Sequence, residues 1–352
     1  MNGRTDFVLV AAPGRVGIAG RMLVLSRALQ RLWRGTRVRL VTGEAARSCF
    51  APYAGEESWL TWRAGDSLGE LLAREPLDPR GTRLVLVDLA QPPLACGFPR
   101  DTVALLLESW PPRRRRPTWF APRTGHRHLA RSLAACTGRR FFCGAWPLIT
   151  SPEERVALAP HVERLEPWSG GLLEADEGTR PSERRAVLVF VPGGEQGPWR
   201  EAARRVIGGG AASAEVLISS CRGAPSPEPR AWSPGVLEAG PLPDLLARLA
   251  RGRAALVGPS LPLLLACRAS GTPVFVVSRD EPEWRCARYL TAAFGGVSLP
   301  PWTSPETLLE RALEPPAQES LALVAAERAG QERAASRAAM LLAGDDAAGC
   351  VS

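Results

Sequence analysis

Twice along this chain a short apolar run passes through a glycine-bearing turn into a helix-period segment, and that repetition constrains the fold more than any other feature. In the first half Phe7–Ala11 reads as a strand, Pro13-Gly14-Arg15-Val16-Gly17 as the turn, and Gly20–Trp33 as a helix with Met22, Leu25, Leu29, Leu32 and Trp33 on one face. In the second half Ala186–Val191 is the strand, Gly193-Gly194 the turn and Gly197–Ile207 the helix. A strand that returns through a helix pairs in parallel with its neighbour, so each half predicts an open, parallel α/β sheet.

The alternation extends on both sides. Arg37–Thr42, Leu84–Val87 and Arg140–Cys143 read as further strands of the first half, with helices at Ser67–Glu75 (N-capped by Asp66), Thr102–Trp110, His128–Cys136 and Pro152–Leu158. In the second half the strands are Ala214–Ser219, Ala254–Val257 and Pro273–Val277. Helices at Pro241–Gly252, Leu261–Ser270, Glu283–Phe294 and Glu306–Leu313 lie between and after them. An Ala-rich helix over Glu319–Leu342 closes the chain. Residues 166–185 are polar, rich in Gly and Pro and without period, which marks a linker. The expected organisation is an N-terminal domain at 1–165, the linker at 166–185, a second domain at 186–318 and a closing helix and tail at 319–352.

Composition narrows the chemistry. The chain of 352 residues carries 44 Lys plus Arg, and every one of them is Arg. Without lysine there is no Schiff-base nucleophile, no pyridoxal-phosphate anchor and no Walker-type phosphate loop. Asn occurs only at Asn2, which with the Arg bias points to a GC-rich bacterial genome. A net charge of +8 is modest for this length, and no basic stripe with interleaved aromatics runs along a helix, so nucleic acid is not the expected partner. Arg113–Arg116 lies between prolines and reads either as a solvated loop or as a contact for anionic headgroups at a membrane surface. The eight cysteines form no C-x-x-C pair, and His126, His128 and His161 offer no ligand cluster, so no metal is expected. No signal-peptide pattern or long apolar span is present, and the expectation is a cytoplasmic protein with reduced thiols.

In open α/β sheets ligands sit beyond the carboxyl ends of the strands, where glycine turns meet helix N-termini. Gly14, Arg15, Gly17 and Arg21 form one such candidate phosphate loop, with Arg123 as a further cation. A nicotinamide cofactor fits poorly: Gly14, Gly17 and Gly20 are spaced by three, and no acidic residue ends the second strand after Val41. No cofactor is expected. Asp88 ends a buried strand on the ligand side and reads as a general base or, alternatively, as a helix cap.

The stretch Gly17–Leu29 resembles the N-terminal signature of GT-B-type glycosyltransferases that use nucleotide sugars, in the branch of the peptidoglycan N-acetylglucosaminyltransferase and the UDP-sugar hydrolase of pseudaminic acid synthesis. Gly17, Arg21, Leu23, Leu25 and Leu29 match that signature, whereas Ile18 stands at its histidine and Arg15 at its first glycine. In the second half the strand and Gly193-Gly194 turn resemble the opening of the donor-binding domain. Residues 254–290 resemble its later donor block, with Gly258-Pro259-Ser260 at the phosphate turn, Gly271-Thr272-Pro273 at its GTP tripeptide, and Ala287 and Leu290 in the closing helix. The resemblance implies two Rossmann-like parallel-sheet domains facing a central cleft, with the last helix packing back on the N-terminal domain. It implies a nucleotide-sugar donor, UDP-linked, bound at Gly193, Gly194, Gly258, Ser260, Gly271, Thr272 and Glu283. The sugar would pass with inversion to a hydroxyl acceptor: a glycan, a lipid-linked molecule or a small molecule. The departures fall on chemistry. Ala266 stands where the family has the ribose-binding Glu, Glu283 at a Gln and Cys286 at an Asn. Either other residues have been recruited, or the chain is a catalytically degenerate scaffold that partners an active enzyme or binds a glycan without turning it over. Trp168 and Trp284 read as packing residues, with base stacking as the alternative for Trp284.

Overall fold

The structure is a computed structural model that describes residues 6–11, 16–50, 57–63, 66–75, 81–87, 103–107, 140–143, 163–170, 186–190, 196–209, 215–219, 230–239, 248–249, 252–314 and 321–343, with residues 53, 55 and 77. It divides into two compact units, residues 1–168 with 332–352, and residues 169–331.

Unit 1 is built on one sheet. Its strands are β1 (Asp6–Ala11), β2 (Val38–Thr42), β3 (Ser58–Thr61), β4 (Thr82–Val87), β5 (Val103–Leu107), β6 (Arg140–Cys143) and β7 (Glu163–Leu165), in spatial order β3-β2-β1-β4-β5-β6-β7. Every pairing is parallel. Phe7 to Ala11 are consecutively buried, as a strand covered on both faces requires. The helices are α1 (Val16–Leu32), α2 (Glu44–Phe50) and α3 (Leu68–Ala73). α1 buries Ala19, Met22, Leu23, Leu25 and Leu29 along one stripe. It begins at Val16 rather than Gly20, so Gly17 belongs to its first turn.

Unit 2 has the strands β8 (Ala186–Phe190), β9 (Glu215–Ser219), β10 (Arg230–Ser233), β11 (Val236–Ala239), β12 (Gly252–Val257), β13 (Val274–Val277) and β14 (Val297–Leu299), ordered β10-β11-β9-β8-β12-β13-β14. Its helices are α4 (Gly197–Gly208), α5 (Leu261–Ser270), α6 (Glu281–Phe294) and α7 (Pro305–Leu313). Strand alternation sorts the core onto two faces. Leu188, Leu217, Ala255, Val257, Val274 and Val276 pack with Leu264 and Cys267 of α5 and Ala287 of α6. Val187, Val189, Val216, Ile218 and Leu256 pack with Trp199 and Ala203 of α4 and Leu309 of α7. The last helix, α8 (Leu321–Ala343), contributes Leu321–Gln331 to unit 2 and its remainder to unit 1.

Several sequence expectations are corrected. Thr102–Trp110 holds a strand, β5, not a helix: its Val-Ala-Leu-Leu-Leu run has no helical period and pairs in parallel with β4 and β6. The N-cap of α3 is Ser67 rather than Asp66; Ser67 Oγ accepts from the Glu70 amide, while Asp66 accepts from the Arg63 amide in the preceding turn. The second sheet is not wholly parallel, because the edge strand β10 pairs antiparallel with β11. The expected helices at 128–136 and 152–158 lie outside the described residues, as does most of the one at 241–252.

Candidate functional site

Both sheets reverse their strand order at one place. In unit 1 the chain moves outward from β1 to β2 and β3, then returns to pair β4 on the other side of β1. In unit 2 it moves outward from β8 and returns as β12 beside it. Between such strands the two following loops diverge to opposite faces and leave a crevice at the carboxyl edge. In unit 1 the crevice is flanked by Ala11 and Val87, which are paired neighbours. The residues that follow them, Gly14 and Arg15 after β1 and Asp88 after β4, lie outside the described residues, as do Gly193 and Gly194 after β8. So do Arg113–Arg116, Arg123 and the three histidines.

At the crevice of unit 2, β12 ends in Gly258-Pro259-Ser260, which leads directly into α5. Ser260 is the N-cap, with extended backbone (φ −143°, ψ 113°), yet its hydroxyl makes no capping bond. Pro262 has no N–H, and the Leu264 amide closes the first helical bond onto the Ser260 carbonyl at 3.0 Å. The amides of Leu261 and Leu263 therefore have no carbonyl inside the helix to bond and remain donors at the positive end of its dipole.

Charge separates this helix start from others. Among the described helices that follow a strand, those starting at the switch points (α1 after β1, α4 after β8 and α5 after β12) have no acid in the first turn. Elsewhere α2 carries Glu44, α3 Glu70, α6 Glu281 and Glu283, and α7 Glu306. An acidic first turn neutralises a helix N-terminus internally, so the acid-free ones are those that favour an external anion.

The neighbouring helix start shows the contrast. Asp280 caps α6, its Oδ1 accepting from the Glu283 amide at 2.9 Å. Glu283 is 5% exposed, and its carboxylate accepts from the Arg279 amide at 3.0 Å, from Arg279 Nε at 3.1 Å and from Arg279 Nη2. Glu283, expected to meet the donor, is instead committed to the turn that starts α6. Trp284, one residue on, packs edge-to-face with Trp302 at 5.2 Å between ring centroids and carries the Arg288 guanidinium over its ring at 5.5 Å.

Two other sequence candidates are not brought to this edge. Gly271 and Thr272 precede β13 and so lie at the amino edge of the sheet, opposite Gly258 and Ser260. Gly271 ends α5 with left-handed backbone (φ 64°, ψ 31°), the conformation that selects glycine at a helix C-terminus. Thr272 is buried; its hydroxyl donates to the Leu249 carbonyl, and its amide bonds the Cys267 carbonyl at 2.9 Å. Both residues shape the α5–β13 turn.

Arg21 is fully buried in α1, its guanidinium stacked over the Trp168 ring at 5.2 Å, while Trp168 Nε1 donates to the Arg21 carbonyl at 3.1 Å. It packs in the core of unit 1. Gly17 is half-buried, and a Cβ there would meet no described atom within 4 Å. Ile18 is 5% exposed and Ala266 2%, both apolar and packed where the resemblance has polar groups. Burial pushes the Cys267 thiol up to about 12, which keeps it protonated and excludes it as a nucleophile. What sequence reasoning missed here is Ser278, whose buried hydroxyl stands at the same carboxyl edge.

No family model and no curated protein sequence matches the chain. Solved structures do. The glycotransferase of kitacinnamycin matches at TM-score 0.60 and 16% identity, covering 97% of this chain and 98% of that one. Medicago truncatula UGT71G1 complexed with UDP-glucose matches at TM-score 0.55 and 12% identity, covering 98% and 99%. UDP-N-acetylglucosamine 2-epimerase matches at TM-score 0.52 and 12% identity, covering 95% and 94%. The chain has the GT-B fold of these proteins.

Proposed function

We propose that this chain binds a nucleotide sugar, UDP-linked, and transfers the sugar with inversion to a hydroxyl acceptor. The observation that carries this reading is the acid-free, uncapped start of α5 beside a glycine turn at the switch point of unit 2. A diphosphate seated there accepts from the Leu261 and Leu263 amides and the Ser260 hydroxyl, with Gly193 and Gly194 supplying the second turn. The helix dipole stabilises the departing nucleoside diphosphate in a chain that has no lysine to do so. The UDP-sugar of one structural neighbour and the UDP-linked substrate in the name of another support the choice of nucleotide. Asp88, directly after β4, is the base that takes the acceptor's proton as its oxygen attacks the anomeric carbon.

A second reading, a scaffold that binds the nucleotide sugar without turning it over, is favoured by Ile18 and Ala266 packed in the core and Glu283 bonded to Arg279. Incubation with a panel of UDP-sugars and acceptors, followed by assay of released UDP, separates the two. Release of UDP with at least one donor is expected; saturable UDP binding without release across the panel selects the scaffold.

Ser260→Asp supplies α5 with an N-cap carboxylate, so the ligand-free protein is expected to melt at the same temperature or higher. The same carboxylate stands where the diphosphate must sit, and UDP affinity is expected to fall about thirtyfold or more through like-charge repulsion. Calorimetric titration of the variant checks this; unaltered UDP affinity would exclude the α5 N-terminus as the phosphate site.

A further inference from the structure

Ser278 immediately follows β13 at the carboxyl edge of unit 2 and is 3% exposed, and its Oγ has no hydrogen-bond partner among the described residues. A buried hydroxyl left unpaired is costly and asks for an explanation. Two other unit 2 serines, Ser169 and Ser233, also bury an unpartnered Oγ. However, Ser169 is outside the sheet, and Ser233 ends the antiparallel strand β10 at the opposite edge. Ser278 alone of the three stands on the edge where the anion site lies.

Its side-chain direction follows from the pleat. Val274 and Val276 face the layer of α5 and α6, packing with Leu264, Cys267 and Ala287, and Ser278 continues that alternation. Both helices begin at this edge, at Leu261 and Glu281, so Ser278 lies beneath their first turns. Val276 pairs with Val257, which brings Ser278 level with the Gly258-Pro259 turn. α6 is already neutralised by Asp280 and Glu283, whereas α5 carries no first-turn acid. The unpaired hydroxyl therefore adds a donor to the open helix start.

The geometry points to Ser278 as a ligand-binding residue that donates its hydroxyl to a phosphate oxygen held at the N-terminus of α5. The site then takes the pyrophosphate group from below through Ser278 Oγ and from the helix side through the Leu261 and Leu263 amides and Ser260. The assignment rests on the nucleotide-sugar reading for its ligand, but the phosphate chemistry stands apart from the nucleoside. Among the described residues the hydroxyl is unsatisfied in the ligand-free protein, so the site trades stability for binding.

The test titrates the 352-residue chain, Ser278→Ala and Ser278→Cys with UDP, inorganic pyrophosphate and uridine, and records ligand-free melting temperatures. Wild type is expected to bind UDP and pyrophosphate but not uridine at the same concentrations. Ser278→Ala is expected to melt higher when ligand-free and to bind UDP and pyrophosphate about tenfold more weakly, the loss of one charge-assisted hydrogen bond. Ser278→Cys, close in volume and a weaker donor, is expected to show the same binding loss. Unchanged affinities in both variants overturn the assignment, whatever their melting temperatures. Pyrophosphate binding that both variants weaken, without UDP binding to wild type, keeps Ser278 as a phosphate ligand and overturns the nucleotide reading. Absence of binding by either phosphate compound overturns both.

Discussion

Trp168→Ala is expected to destabilise unit 1 by about 3–5 kcal/mol, the range for removing a fully buried aromatic from a packed core. Trp168 has no exposed surface, its ring lies under the Arg21 guanidinium, and its indole N–H is paired with the Arg21 carbonyl. Truncation removes the ring, the cation–π contact and the hydrogen bond together, and leaves Arg21 buried beside a cavity. Trp168→Phe keeps most of the ring volume but loses the N–H, so a smaller loss of about 1–2 kcal/mol is expected. Urea unfolding followed by far-UV circular dichroism measures both. Equal midpoints for wild type and Trp168→Ala would contradict the anchoring of this residue on α1.

In the proposed reaction, Asp88→Asn is expected to lower kcat by about 10²–10⁴-fold, the usual contribution of a positioned general base. Asn preserves the shape of Asp and removes only its ability to take a proton, so donor binding and melting temperature are expected to hold. The readout is initial-rate UDP release in saturating donor. A kcat within about threefold of wild type assigns the base role elsewhere.

The sequence carried the β/α alternation because fully buried parallel strands such as β1, β8 and β12 are continuous apolar runs that need no partner to be recognised. It hid the short edge strands. β3, β7 and β14 have three or four residues each and include Ser58, Glu163 and Ser298, and their pairing is decided by the neighbouring strand rather than by their own pattern. β5 is ambiguous in sequence because an apolar run of that length suits a buried helix as well as a strand.

At the candidate site, the glycine turn before α5 was legible because glycine, serine and a following apolar helix form a local pattern. The roles of Gly271, Thr272 and Glu283 were not. A GTP tripeptide looks alike whether it meets a ligand or ends a helix, and only the strand direction puts it at the amino edge. Glu283 reads as an available carboxylate until the fold of its own turn brings Arg279 onto it. Arg21 is similar: a cation in a glycine-rich turn suggests phosphate, but the first helical bonds of α1 start at Val16 and rotate it into the core against Trp168. Ser278 has no motif around it, and what distinguishes it is burial with no partner among the described residues.

The central claim is that unit 2 holds a nucleoside diphosphate at the carboxyl edge of its sheet. Isothermal titration of the 352-residue chain with UDP tests it most directly. Saturable binding at one site per chain is expected, with a dissociation constant below about 1 mM and a matching rise in melting temperature. No heat and no melting shift with UDP, GDP or CDP at about 1 mM would contradict it.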